Sequence, residues 1–86
     1  MGVQNGTSTT SIDPESLGQA IRAKRLEIGL SQRELAELLC IDRSGVSRLE
    51  AGNSLPSLHT LNRLADVLMT PVEELVSLAR IFERAR

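Results

Sequence analysis

The sequence predicts an all-α domain of five short helices, and three features predict it. Its apolar residues are almost all Leu, Ile, Val and Ala, with Phe82 the sole aromatic. Branched aliphatics suit helical packing, whereas β-sandwiches draw on aromatics and Thr. Those residues recur at helical spacing, and helix-start and helix-stop residues alternate along the chain with only short connections between them. A chain of 86 residues, 41% of them apolar, makes one domain near the lower end of what core burial alone can fold.

Each element has its own local signal. Residues 1–12 are mostly Gly, Ser, Thr, Asn and Gln, with little to bury and no Lys or Arg. A disordered arm is expected there, followed by a folded domain over residues 13–86. Asp13-Pro14-Glu15 combines an N-cap, a proline at the first helical position and a carboxylate for the helix dipole. This first helix runs to Ile28 with Leu17, Ile21 and Ile28 inward, and Gly29 supplies a left-handed C-cap. Ser31 and Glu34 form a capping box for the second helix, whose Leu35, Ala36 and Leu39 face the core. Cys40-Ile41 is a turn. Asp42 caps the third helix, Val46 and Leu49 point inward, and Gly52 ends it. After Pro56, Ser57 caps a fourth helix with an apolar stripe of Leu58, Leu61, Leu64, Ala65 and Leu68. Thr70 caps the fifth, with Pro71 first in the helix and Glu73 as box partner, and this helix continues towards Arg84.

Residues 31–52 carry the functional signal. Two short helices joined this tightly are a means of pushing a helix end into the major groove of DNA. Arg43, Ser44, Ser47 and Arg48 fall at i, i+1, i+4 and i+5, one stripe opposite Val46 and Leu49. The net charge is −1, which excludes a generic polyanion binder. Between Arg22 and Arg48, however, six basic residues face four acids. Local positive charge on a near-neutral chain suits a binder that relies on fit as well as on counterion release.

From Leu17 to Leu75 the chain resembles the phage-repressor-type (XRE-like, Cro/repressor) helix-turn-helix family. The residues that carry the likeness are Leu17-Gly18, Ile21, Arg25, Gly29-Leu30-Ser31-Gln32 and Glu34-Leu35-Ala36. They continue as Val46-Ser47-Arg48-Leu49-Glu50, Gly52, Pro56-Ser57-Leu58, Thr60-Leu61, Leu64-Ala65 and Glu74-Leu75. The resemblance implies a five-helix lambda-repressor-like fold, with the helix-turn-helix at the second and third helices. It also implies that Gln32 anchors a phosphate and that Arg43, Ser44, Ser47 and Arg48 face the groove. Gly45 between them either allows close approach to the bases or is merely weak helix chemistry. Asn53 and Ser54 either donate to a phosphate or serve the turn. Arg25 and Glu50 correspond to a partly buried ion pair of the scaffold. Arg22, Arg33 and Arg63 are expected on a solvated face, with phosphate contact as the alternative.

Cys40 and Met69 stand where the family often has glycine; the turns are expected to adapt, with Cys40 buried as a small apolar filler. A lone thiol has no resolving partner for redox sensing, and His59 has no metal-spaced neighbours. Past Leu75, the apolar residues Leu75, Leu78, Ile81 and Phe82 exceed what one terminal helix needs. They are expected to form a dimer interface, with folding back onto the first helix as the alternative. The expected function is sequence-specific double-stranded DNA binding as a transcriptional repressor, by a two-fold dimer on an operator. The alternative is an antitoxin that binds a toxin protein and its own promoter. No catalytic dyad, metal cluster or phosphate-cradling loop stands out, so neither an enzyme nor a cofactor is expected. No apolar run reaches the ~18 residues of a membrane span and no signal peptide opens the chain, so a cytoplasmic location is expected.

Overall fold

The computed structural model describes residues 12–85, with side-chain surroundings through residue 79. Its helices are α1 (Pro14–Ile28), α2 (Gln32–Leu39), α3 (Arg43–Ala51), α4 (Leu58–Val67) and α5 (Val72–Ala85). No strand occurs among the described residues. Three of the helix starts follow from local chemistry. The side chains of Asp13, Ser31 and Ser57 accept the backbone N–H of Ser16, Glu34 and Thr60, and the Glu34 carboxylate returns to the Ser31 N–H. Caps of this kind contribute ~1 kcal/mol each.

Two expected caps differ. Asp42 stands at the N-cap position of α3 but makes no side-chain capping bond. Thr70 is buried with its hydroxyl donating to the Leu68 carbonyl at 3.0 Å. The first carbonyl of α5 is instead that of Pro71, which accepts from Glu74 and Leu75.

Four of the helices end alike. The N–H groups of Leu30, Ile41, Asn53 and Thr70 reach back to the carbonyls of Arg25, Ala36, Arg48 and Ala65, around a left-handed residue in each case. That residue is Gly29 at the first stop and Gly52 at the third, but Cys40 (φ 60) at the second and Met69 (φ 55) at the fourth. The turns therefore do not adapt to their side chains. The returning hydrogen bonds hold the strained conformation, which for a non-glycine residue costs ~1–2 kcal/mol. Cys40 is exposed, not the buried filler expected.

Leu17, Ala20 and Ile21 of α1 form the centre of one core with Leu35, Ala36, Leu39, Val46, Leu49, Leu64, Leu68, Leu75 and Ala79. α1 packs against both α3 and α5, and α2 against α3 and α4. A β-carbon on Gly18 would stand 2.4 Å from the Leu49 carbonyl oxygen, so only glycine lets α1 cross the end of α3 this closely. Gly52 is required twice over, by its φ of +81° and by the Glu15 Cα that would lie 2.6 Å from a β-carbon.

Several expected surfaces are revised. Leu75 is fully buried and Leu78 packs against the same core, because α5 folds back on α1. Leu75 is therefore not the open dimer face expected of it and Leu78 is half-buried, while the side chains of Ile81 and Phe82 lie outside the described residues. Ile28 and Leu58 sit at helix ends where the stripe has run past the core, and they are 39% and 73% exposed. Ile12 is half-buried against the core; the rest of the expected arm lies outside the described residues.

Candidate nucleic-acid interface

The outward face of α3 follows from its inward one. Burial of Val46 and Leu49 fixes the rotation of this nine-residue helix. Arg43, Ser44 and Arg48 are then exposed, with Ser47 and Gly45 half-buried beside them. The stripe read from the sequence is thus one continuous ridge on the surface of the protomer.

Beyond it, Gly45, Arg48 and Ser54 line a groove of about 520 Å³ together with Ile41, Asp42 and Leu55. Asn53 and Ser54 are both exposed in the loop after α3, and the Asn53 N–H is already committed to the Arg48 carbonyl. A β-carbon on Gly45 would touch only the Ile41 and Arg48 side chains, at 3.2 Å and more. No backbone within the protomer therefore demands glycine there.

The ridge rests on a buried ion pair. Arg25 donates to Glu50 through Nε at 2.6 Å and Nη2 at 3.0 Å, while Nη1 donates to the Leu30 carbonyl at 2.7 Å. The two side chains are 7% and 3% exposed. Bidentate geometry with a third bond satisfies the guanidinium, which is what makes burial of the pair tolerable. The pair ties α1 to the end of α3 and so holds the ridge against the core.

Gln32 is placed differently from its expected role. Its Nε2 donates to Glu50 Oε1 at 3.0 Å and its Oε1 accepts from Arg43 Nη1 at 3.3 Å. The side chain thus spans the ion pair and the ridge. No local pattern could have revealed this bridge, since Gln32 lies on α2 while both of its partners, Glu50 and Arg43, lie at opposite ends of α3. The Glu34 N–H at this corner is capped by Ser31, which leaves the Gln32 and Arg33 N–H groups as those of the first turn of α2 without an intrahelical acceptor, where the dipole favours negative charge.

The other cations divide. Arg63 is exposed, as expected, and its Nη2 also donates to the Leu38 carbonyl at 2.9 Å near the end of α2. Lys24 pairs with Glu27 at 3.0 Å. Arg22 and Arg33 are exposed. Among the described residues no group of His, Cys, Asp and Glu is arranged to hold a metal ion, and no helix is long and apolar enough to cross a membrane.

A family model described as helix-turn-helix matches residues 21–75. The chain is 43% identical over 54 residues to the ImmF control region 10 kDa protein of Bacillus phage phi105, a match covering 63% of this chain and 60% of that one. It is 36% identical over 70 residues to the HTH-type transcriptional repressor RghR of Bacillus subtilis, covering 80% of this chain and 52% of that protein. The chain thus spans between half and three-fifths of the length of these curated relatives. Among solved structures it is similar to the restriction-modification controller protein C.AhdI from Aeromonas hydrophila, with a TM-score of 0.70 and 40% identity. That likeness covers 73% of this chain and 96% of the other.

Proposed function

The chain belongs to the helix-turn-helix family, and from that premise we propose that it is a sequence-specific double-stranded DNA-binding regulator of transcription, acting as a repressor. The observation that carries the reading is the outward ridge of exposed Arg43, Ser44 and Arg48 with half-buried Ser47, on a helix whose other face is locked in the core. A ridge of this kind fits the major groove, where an arginine grips guanine O6 and N7 with two hydrogen bonds. Each such pair is worth ~1–3 kcal/mol of discrimination.

Gly45, at the edge of the ridge beside Arg48 and Ile41, keeps that flank low, so that the helix can approach the base edges. The α2 backbone N–H groups take one phosphate, and the exposed Asn53 and Ser54 take another on the far side of the groove. Relatives named as a repressor and as a phage control-region protein support transcriptional repression as the role.

One such module covers only ~600–1,000 Å² of DNA-facing surface, too little for tight specific binding alone. Two copies related by a two-fold axis double the contact and set their reading helices ~34 Å apart, one turn of the duplex. The test is selection of bound sequences from a random pool of DNA duplexes by the full chain. The reading requires enrichment of a motif with two inverted half-sites centred about 10 base pairs apart. Binding without sequence enrichment would overturn it.

A further inference from the structure

We infer that the bare flank beside Gly45 is a seat for the C5-methyl group of a pyrimidine, thymine or 5-methylcytosine, that precedes the guanine gripped by Arg48. The inference rests on the DNA-reading role proposed for α3, and it says which base group the missing side chain makes room for. It also makes binding respond to cytosine methylation, a mark that changes no hydrogen-bonding group.

Three observations carry it. The first is the floor. A β-carbon at position 45 would stand 3.2 Å from Ile41 Cδ1 and 3.7 Å from Ile41 Cγ1, so any side chain there would cover this aliphatic tip. With glycine the tip is open, and Ile41 is exposed, as is Leu55 further along the same groove. The second is the wall. Arg48 Nη2 would lie 3.9 Å from that same β-carbon, so the guanidinium reaches back along the helix to the rim of the notch. The third is Asp42, which makes no side-chain capping bond and lines the groove. A negative charge there repels a phosphate, so the space suits a base edge and not the DNA backbone.

Groove chemistry selects the occupant. The apolar substituent that the standard bases offer in the major groove is the C5-methyl of thymine; the other groups there donate or accept hydrogen bonds. Cytosine gains the same group at the same ring position when it is methylated. An exposed aliphatic floor finds no partner among polar edges, whereas against a methyl both lose apolar surface to water. The arginine adds direction. As it grips guanine O6 and N7, its flat guanidinium lies beside the base that precedes that guanine on the strand, where the methyl projects. A thymine–guanine or methylcytosine–guanine step is therefore the sequence assigned to this flank. Gly45 accordingly serves recognition and not folding, since it meets only side chains of its own protomer.

The experiment uses the full chain and the duplex enriched by selection, with the step located as the guanine whose preference Arg48→Met removes. At the preceding pyrimidine, one pair of duplexes carries thymine or deoxyuridine and a second carries 5-methylcytosine or cytosine. Within each pair the methyl is the whole difference. The expected result is about fourfold tighter binding of the methylated member in both pairs, the factor that burial of one methyl-sized group supplies. Gly45→Ala is expected to fill the seat and erase both differences. Its new methyl meets only side chains and it puts a better helix former into α3, so its melting temperature does not fall. Ile41→Ala removes the floor, keeps the glycine and is expected to shrink the same differences. Equal binding within both pairs, a purine selected before that guanine, or a Gly45→Ala variant that keeps the full methyl effect would overturn the inference. A gain in the thymine pair alone would confine the seat to thymine and overturn the response to methylated cytosine. Absence of enrichment by the wild type is a separate failure, of the DNA reading itself.

Discussion

Arg43 and Arg48 are the residues on which, in the proposed reading, recognition depends and stability does not. Both are exposed on α3, so truncation leaves no buried group unpaired. Arg43→Ala and Arg48→Ala are expected to lower base preference by ~1–3 kcal/mol each at the positions they read. Their melting temperatures should stay within the few degrees of an ordinary surface substitution. Parallel binding titrations on the enriched duplex and on scrambled DNA, with a melting curve for each variant, check this. Glu50 behaves oppositely. Its loss strands Arg25 in the core and releases Gln32, so Glu50→Ala is expected to cost ~3–5 kcal/mol in urea denaturation. A cost under ~1 kcal/mol would mean the pair is solvated in solution. The stripe of α3 and the partners Arg25 and Glu50 were legible in the sequence, through spacing and through family resemblance. The engagement of Gln32 was not, because it depends on where α2 falls relative to the far end of α3.

Among the elements, helix starts and stops were the most legible feature, since caps are local. Asp13, Ser31 and Ser57 bond their own first turns, and Gly29 and Gly52 are left-handed as their residue type suggests. The failures are equally local. Asp42 has the right chemistry for a cap and makes no such bond, while Cys40 and Met69 have the wrong chemistry for a left-handed position and occupy it. Returning hydrogen bonds from Ile41 and Thr70 outweigh the backbone penalty. Met69 is 81% exposed, so its side chain contributes little that glycine would forfeit. Met69→Gly is therefore expected to stabilise the domain by up to ~1 kcal/mol, the relieved strain less the entropy a glycine adds to the unfolded chain. In a domain of this size that is a rise of ~4–8 °C in melting temperature per kcal/mol. Gly18→Ala runs the other way. Its methyl would collide with the carbonyls of Leu49 and Glu50, and a backbone cannot yield as a side chain can. A loss of at least ~2 kcal/mol is expected in the same assay.

For the molecule as a whole, periodicity located the apolar faces but not what lies opposite them. The stripe beginning at Leu75 had two possible destinations, a second copy or α1, and local pattern does not choose between them. Leu75 and Ala79 lie in the core against α1, so a two-fold assembly must use other surface. If two copies assemble on one operator, sedimentation of the protein with the enriched duplex shows two chains per duplex. Variants of the buried Leu75 then unfold the protein instead of yielding a folded monomer. One chain per duplex at saturation would remove the dimer from the account. The central claim is that the outward ridge of α3 is the surface that meets the bases. It is tested most directly by following backbone amide resonances of the full chain as the enriched duplex is added. The account predicts the largest shifts at Arg43, Ser44, Gly45, Ser47 and Arg48, with smaller ones at the start of α2 and in the loop at Asn53 and Ser54. Shifts concentrated on α4 or α5, with the α3 ridge unmoved, would contradict it.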